Sequence, residues 1–366
     1  MQRQRKNDNI RKQATGLTVQ PKGISSTRIP CVPGPRQSQK RTVHQLNGRG
    51  HICQESTNGP PTADGTVRQG FSNYQRGTNR LIYKCMIDIV TIVFSEELPI
   101  LRVQAQSIDR YCSGLGLKNI YVLVNDSDSV LDQIDKAWWG QYQNQVQIIP
   151  RSIFSTSYVE NGWVSQQVLK ILGASLSYNT WSMVLDAKTL VTDYLKSDMF
   201  VTDSQQLTLG TQAIAPVFLK SGQIASDLFG IPVTHVARPA GVPFFFHNHT
   251  VRQMIVEVES LTQHSFPKWF QQQGMLTEFI LYTGFVQYKH KDLNKIYLNQ
   301  FQKILCNNIC HSKVSMFDKK LQMAQDDRPL TIGVHRHAWT QLTQQQQQAY
   351  VDYLVTLGLS WAQDLT

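Results

Sequence analysis

Charge is scarce in this chain. Asp, Glu, Lys and Arg make up 17% of its 366 residues, where a globular protein usually carries about a quarter, and Gln fills much of the gap. With 41% hydrophobic and 10% aromatic residues, that excludes a chain disordered throughout. No stretch reaches the roughly 18 apolar residues of a membrane span, and the opening MQRQRKNDNI lacks the apolar centre of a signal peptide. A cytoplasmic protein is expected. The six cysteines (Cys31, Cys53, Cys85, Cys112, Cys306 and Cys310) are too scattered for a disulfide scaffold, which points to a reducing compartment. Also missing are a GxxxxGK phosphate loop, a GxGxxG turn after a first strand and a GxSxG elbow. Their absence removes the commonest nucleotide-triphosphatase, dehydrogenase and serine-hydrolase readings.

What charge there is lies unevenly. The formal net charge is +10, yet residues 1–80 hold 14 Lys and Arg against 3 Asp and Glu, while residues 81–366 hold 22 against 23. A basic arm on a near-neutral body argues against a nucleic-acid channel through the core, and no specific nucleic-acid partner is expected. Residues 1–80 are rich in Arg, Gln, Gly, Pro, Ser and Thr, with isolated apolar residues that cannot offset the entropy of ordering. They read as a disordered tail: a solvated linker, an arm touching an anionic surface, or an Arg-rich organelle presequence. The folded domain is expected from residue 81 to residue 366.

Asp88 to Phe94 (DIVTIVF), Asn119 to Val124 (NIYVLV) and Trp181 to Leu185 (WSMVL) are short, nearly unbroken apolar runs. Such runs are the mark of parallel strands buried on both faces. Between the first two, Ser95 caps a helix with Glu96 and Glu97 in its first turn and Leu98, Leu101, Ala105, Ile108 and Cys112 along one face, ended by Gly114 and Gly116. That is a βαβ unit, whose ligand edge lies at the carboxyl ends of the strands. A third strand is expected at Val146 to Ile149, then a helix over Gly162 to Leu176 with Val168, Leu169, Leu172 and Leu176 toward the sheet. Its other stripe, Trp163, Gln166, Gln167 and Lys170, could meet an anionic ligand or simply solvent. The second half is less regular. Strands are expected at Thr208 to Ala215, Pro243 to Asn248 and Leu330 to Val334, with helices from Thr250 through Val258, over Leu276 to Val286, and along the Gln-rich C-terminus. The fold class is α/β, with a mixed, mainly parallel sheet flanked by helices.

Three groups of residues carry chemical interest. Asp186 ends the run WSMVLDAKT, and a carboxylate at the end of a buried strand is costly unless a ligand, cation or hydrogen-bond set receives it. Cys306, Cys310 and His311 form CNNICH, whose i,i+4 spacing suits one face of a helix. With no second ligand pair following, buried thiols are expected there and not zinc. His247 and His249, like His335 and His337, are spaced by two on expected strands, so the four could converge on one metal, as in a metallohydrolase.

Six segments, DIVTIVF, IYVLVND, GWVSQQVLK, WSMVLDAKT, TEFILYTGF and VHRHAW, occur in this order across roughly residues 86–340. Together they resemble an uncharacterised bacterial and viral family described as glycosyltransferase-like. The resemblance implies a GT-A-like fold that moves a sugar from a nucleotide diphosphate donor to a saccharide or surface-polymer acceptor. Residues 81–190 would form the nucleotide-binding half and 191–366 the acceptor side. By the same resemblance, Phe94, Ser95, Glu96, Asn125 and Asp126 receive the nucleoside, and Trp163, Gln166, Gln167 and Lys170 flank the donor. Asp186 and His335 would hold a divalent cation (Mn or Mg), Arg336 would meet an anion, and Glu278 would deprotonate the acceptor. His247 is a further candidate on the substrate side. Lys188 stands where the pattern has a second Asp. It could itself bring positive charge to the leaving diphosphate, which leaves the need for a metal open. A catalytically silent nucleotide- or carbohydrate-binding protein of the same fold is the alternative.

Overall fold

The computed structural model describes residues 86–154 and 162–366. The expected tail over residues 1–80, with Cys31 and Cys53, lies outside the described residues, as does Cys85. Chain order is β1 (Ile87–Val93), α1 (Leu98–Tyr111), β2 (Ile120–Val124), β3 (Val146–Pro150), α2 (Gly162–Leu176), β4 (Trp181–Asp186) and β5 (Thr189–Val191). Next come α3 (Ser197–Phe200), β6 (Thr211–Ala213), α4 (Leu219–Phe229), β7 (His235–Ala237), β8 (Phe244–His247), α5 (Asn248–Thr262), α6 (Phe266–Gln272) and α7 (Glu278–His290). Last are β9 (Cys306–Ile309), α8 (Phe317–Asp327), β10 (Thr331–Val334), α9 (Arg336–Trp339) and α10 (Gln344–Thr356).

The main sheet has the order β3-β2-β1-β4-β8, with β3, β2, β1 and β4 parallel and β8 antiparallel to β4. Every residue of β1, β2 and β4 is buried, which is why these strands read as unbroken apolar runs and do not alternate. The expected α/β architecture with a mainly parallel sheet and flanking helices is the one found. A smaller sheet, β5-β10-β9, grows from the turn after β4, with β10 antiparallel to β5 and parallel to β9. It brings the end of β10 beside the end of β4. No helix among the described residues is long and apolar enough to cross a membrane.

Two buried carboxylates mark the two ends of the main sheet. Asp88, at the amino-terminal edge, is received by neutral donors: the Asn119 N–H (2.9 Å), Ser177 Oγ (2.7 Å) and Asn179 Nδ2 (2.6 Å). Asp186, at the carboxyl edge, is received chiefly by cations.

Three expectations need correction. The first four residues of CNNICH form a strand, β9, with Cys306 opposite Thr331 on β10, Cys310 follows its end, and the Cys306 and Cys310 thiols are partly exposed, not buried. The i,i+4 spacing does not by itself require a helix, and the ladder to β10 makes residues 306–309 extended. The strand expected over Thr208 to Ala215 contracts to β6, paired with β7, with single bridges at Leu207 and Leu209. Helix α5 starts directly at the end of β8, so His247 is its N-cap residue and Thr250 lies inside its first turn.

Gly333 shows how tightly β10 is packed against the turn after β4 and against β9. A Cβ there would come within 2.7 Å of the Lys188 carbonyl oxygen and 3.0 Å of Asn308 Oδ1. Gly333→Ala is expected to cost about 1–3 kcal/mol by overpacking. A denaturant titration checks this; unchanged stability would mean that the turn after β4 yields freely.

Candidate functional site

The carboxyl edge is organised from beneath by α1. Gln104 is fully buried; its amide nitrogen donates to the Asp186 carbonyl (2.7 Å) and the Thr189 carbonyl (2.9 Å), and its amide oxygen accepts from Thr91 Oγ1 (2.9 Å). Ser107 Oγ accepts from the Val191 N–H at 3.0 Å. These bonds fix the backbone on both sides of Ala187-Lys188, so the Asp186 and Lys188 side chains are presented from a clamped turn. Gln104 escaped the sequence reading because a single Gln in an amphipathic helix looks like part of its polar face.

Above the turn, Lys170 of α2 donates to Asp186 Oδ1 at 2.9 Å, and Gln166 Nε2 reaches the same oxygen at 3.1 Å. Lys188 Nζ takes Asp186 Oδ2 at 2.6 Å. Lys170 also contacts Glu278 Oε1 at 3.0 Å. With its amide nitrogen turned toward that carboxylate, Gln167 donates to Glu278 Oε1 at 2.9 Å. The result is a chain of groups, Glu278, Lys170, Asp186, Lys188, running from the interior to the surface. Burial pushes the Asp186 carboxyl up, but the Lys170 and Lys188 ammoniums outweigh it and hold Asp186 well below the usual carboxylate range. Burial likewise disfavours the charged Lys170, and the two carboxylates overcome it, leaving Lys170 firmly protonated. Glu278 is raised, because burial there exceeds the help it gets from Lys170.

The outer part of this chain opens into a cavity of about 300 Å³. Its walls include Trp163, Gln166, Gln167, Lys170, Asp186, Lys188 and His335, all expected from the sequence, and also Phe218, Thr277, Phe279, Asn308 and Cys310, which were not. The missed residues come from the turn before α4, the start of α7, β9 and the residue after it, where local periodicity does not mark a site. A second cavity, of about 220 Å³, lies on the other side of Lys188 between α1, α9 and α10. It is lined by Pro99, Ile100, Val334, Trp339, Tyr350 and Leu365, with Glu96, Glu97 and Arg336 also on its wall.

The remaining candidates fall in three places. Ser95 and Asp126 bond each other, Asp126 Oδ2 accepting from the Ser95 N–H at 3.1 Å and from its Oγ, which holds the ends of β1 and β2 together. Arg336 pairs with Glu96 at 2.7 Å and lies over the Phe94 ring at 5.5 Å. Asn125 is buried and spends its amide on α2, donating to the Gly162 carbonyl (3.1 Å) and accepting from Ser165 Oγ (2.9 Å). It therefore anchors the helix start and does not face a ligand. His247 lies opposite Trp181, at the far end of β4 from Asp186, and shares a separate cavity with His249 and His290. It leaves the candidate site. The four-histidine metallohydrolase fails for the same reason: the His247/His249 and His335/His337 pairs sit at opposite ends of the sheet. Among the described residues no three His, Cys, Asp or Glu side chains converge as a metal site.

Glu278 also needs correction. It is fully buried at the first turn of α7, beneath the cavity, while its neighbours Thr277 and Phe279 line it. A carboxylate there cannot reach an acceptor hydroxyl; its contacts make it a positioning residue for Lys170. Glu278→Gln is expected to lower turnover by less than about tenfold, in place of the 10²- to 10⁴-fold loss of a general base. Steady-state kinetics of the purified variant decide between these values.

The donor set does not suit a divalent cation. Both Asp186 oxygens are held by ammoniums, and a dication about 4 Å from each would be repelled by roughly 8 kcal/mol per lysine at an effective dielectric of 20. His335 Nδ1 accepts the His337 N–H at 3.2 Å, so the neutral ring carries its proton on Nε2. Burial first, then Lys188, lowers the His335 pKa to about 4, which keeps that ring neutral. An Nε2–H group donates a hydrogen bond and does not ligate a metal.

A family model described as a family of unknown function, DUF6492, matches residues 92–355. The chain belongs to that family. No curated protein matches it. Similar solved structures include the galactosyltransferase LgtC with donor and acceptor sugar analogues, at 12% identity and a TM-score of 0.39, covering 74% of this chain and 96% of that one. The glycosyltransferase GlyE of Streptococcus pneumoniae TIGR4 is similar at 16% identity and a TM-score of 0.37, covering 76% of this chain and 64% of its own. Mouse xyloside xylosyltransferase 1 is similar at 10% identity and a TM-score of 0.36, covering 69% and 99%. At these identities no residue role passes from them to this chain.

Proposed function

We propose that this DUF6492 member is a glycosyltransferase that moves a sugar from a nucleotide diphosphate donor to a saccharide or glycan acceptor. The observation that carries the reading is the pair of cavities separated by Lys188, which is the only described residue lining both. One is mostly apolar and aromatic, suited to a nucleoside. The other combines the amides of Gln166, Gln167 and Asn308 with the rings of Trp163, Phe218 and Phe279, the mixture of hydrogen-bonding forks and flat apolar faces that a sugar ring uses. An ammonium between them matches a diphosphate linking the two parts. The position at the carboxyl ends of parallel strands agrees with how open α/β sheets bind ligands.

In this reading Lys188 stabilises the charge that develops on the leaving diphosphate, Asp186 orients Lys188, and Lys170 and Glu278 orient Asp186. Phe94, Ser95, Glu96, Asp126 and Arg336 form the rim beside the nucleoside. A thermal-shift screen of nucleotide sugars on the full chain tests it. A cognate donor at ~100 times its dissociation constant should stabilise by about 2.7 kcal/mol; no shift with any nucleotide or nucleotide sugar would dismiss the reading.

A second reading, a binding protein without turnover, draws on the burial of Glu278 and the pairing of Asp186. Together these leave no unpaired carboxylate among the described residues of the cavity that holds Asp186. Release of free nucleoside diphosphate from a bound donor separates the two, because only the transferase produces it.

A further inference from the structure

We infer that the Lys188 ammonium occupies the role a divalent cation would otherwise fill, so that this site receives a diphosphate without metal. The inference rests on the transferase reading for the identity of its ligand, and on the charge cluster for the rest.

The geometry is specific. Among the described residues Asp186 is the only carboxylate lining the larger of these two cavities, and its oxygens are already bonded by Lys170 and Gln166 on one side and Lys188 on the other. Lys170 is sealed in, with 4% of its side chain exposed, and is held from behind by Glu278. It cannot swing away to release Asp186 to a metal without abandoning a second buried carboxylate. Lys188 differs: 16% of its side chain is exposed and it borders both cavities. An ammonium has three donors, and Asp186 takes one, which leaves N–H groups to meet phosphate oxygens. His335, on the same wall, accepts the His337 N–H through Nδ1, which places its ring proton on Nε2. An Asp-lysine couple with an imidazole N–H thus provides a cationic, hydrogen-bond-donating surface where carboxylates and an unprotonated imidazole nitrogen would build a metal site.

Two measurements on the full chain test this. The first uses Mn²⁺ alone and needs no nucleotide: in a titration followed by electron paramagnetic resonance, the wild-type chain should leave the aqueous Mn²⁺ signal intact. Lys188→Asp, which removes an ammonium and adds a carboxylate two residues from Asp186, should draw down that signal more than the wild type does, while Lys170 still holds Asp186 Oδ1. Stoichiometric binding by the wild type that Asp186→Asn abolishes would overturn the inference. The second titrates UDP, GDP and ADP calorimetrically into chelator-treated protein, with and without Mn²⁺ or Mg²⁺. At least one should bind with an affinity that the metal changes by less than about threefold. Lys188→Ala should weaken that binding by about 10- to 100-fold, the value of a charge-assisted hydrogen bond. Nucleotide binding seen only with metal would overturn the inference and leave the transferase reading standing. Binding to none of the three in either condition would remove both.

Discussion

Replacing Lys170 with methionine is expected to destabilise the folded domain by about 3–5 kcal/mol, the usual consequence of removing one partner from a buried ion pair. The size follows from position: Lys170 is the cation between two buried carboxylates, Asp186 and Glu278. Asp186 would keep Lys188, whereas Glu278 would keep only Gln167 and its helix N-terminus. The loss should depend on pH. Glu278 is already raised by burial in the wild type and rises further without Lys170, so the folded state binds its proton more tightly than the unfolded state does. Stability of the variant should therefore fall as pH rises above the ordinary Glu value of about 4.3, and recover on acidification. Asp186 acts in the opposite sense, since its folded value is depressed. Its contribution is present above the ordinary Asp value of about 3.9 and is lost as pH falls through the folded value. Denaturant midpoints of wild type and variant between about pH 4.5 and 8 give the comparison. A variant as stable as the wild type at neutral pH would mean that the cluster is not closed as described.

The second large effect is expected at Asp186. The strand-end position alone suggests a carboxylate whose loss would spare stability and remove donor binding. Its three partners change that expectation. Asp186→Asn takes the counter-charge from both Lys170 and Lys188, so a stability loss of roughly 1.5–3 kcal/mol should accompany the functional loss. Lys188 would lose the group that aims it, and a misplacement of about 1 Å is enough to lower turnover by about 10²-fold. Melting curves and donor titrations on the same sample measure both; a variant with unaltered melting and unaltered donor affinity would remove Asp186 from the site.

The sequence made the frame of this molecule legible where burial is two-sided. Strands β1, β2 and β4 were readable because each is covered on both faces and so cannot alternate. The end of β4 drew notice to Asp186 because an abrupt carboxylate after such a run needs a partner. The stripe Trp163, Gln166, Gln167, Lys170 was legible as a polar face at the carboxyl edge, but its partners were not, since Asp186 and Glu278 reach Lys170 from a strand and from another helix. Glu278 is a base candidate by the family resemblance alone, and its local sequence does not tell a helix-start carboxylate near a cavity from one beneath it. His247 looked like a site residue until β8 was found running antiparallel to β4, which carries it to the opposite edge. Gln104 gave no signal, because what distinguishes it is the pair of distant carbonyls it clamps. Local pattern thus pointed to the carboxyl edge of the sheet, and long-range pairing decided which of the candidate residues come together there.

The measurement that bears most directly on the function is the release of nucleoside diphosphate from a panel of nucleotide sugars by wild type and Asp186→Asn side by side. Expected is release from at least one donor by the wild type, at about 10²-fold higher rate than by the variant, as the misplacement of Lys188 requires. Equal release by both proteins, or none from any donor by the wild type, would contradict a transferase site built on Asp186.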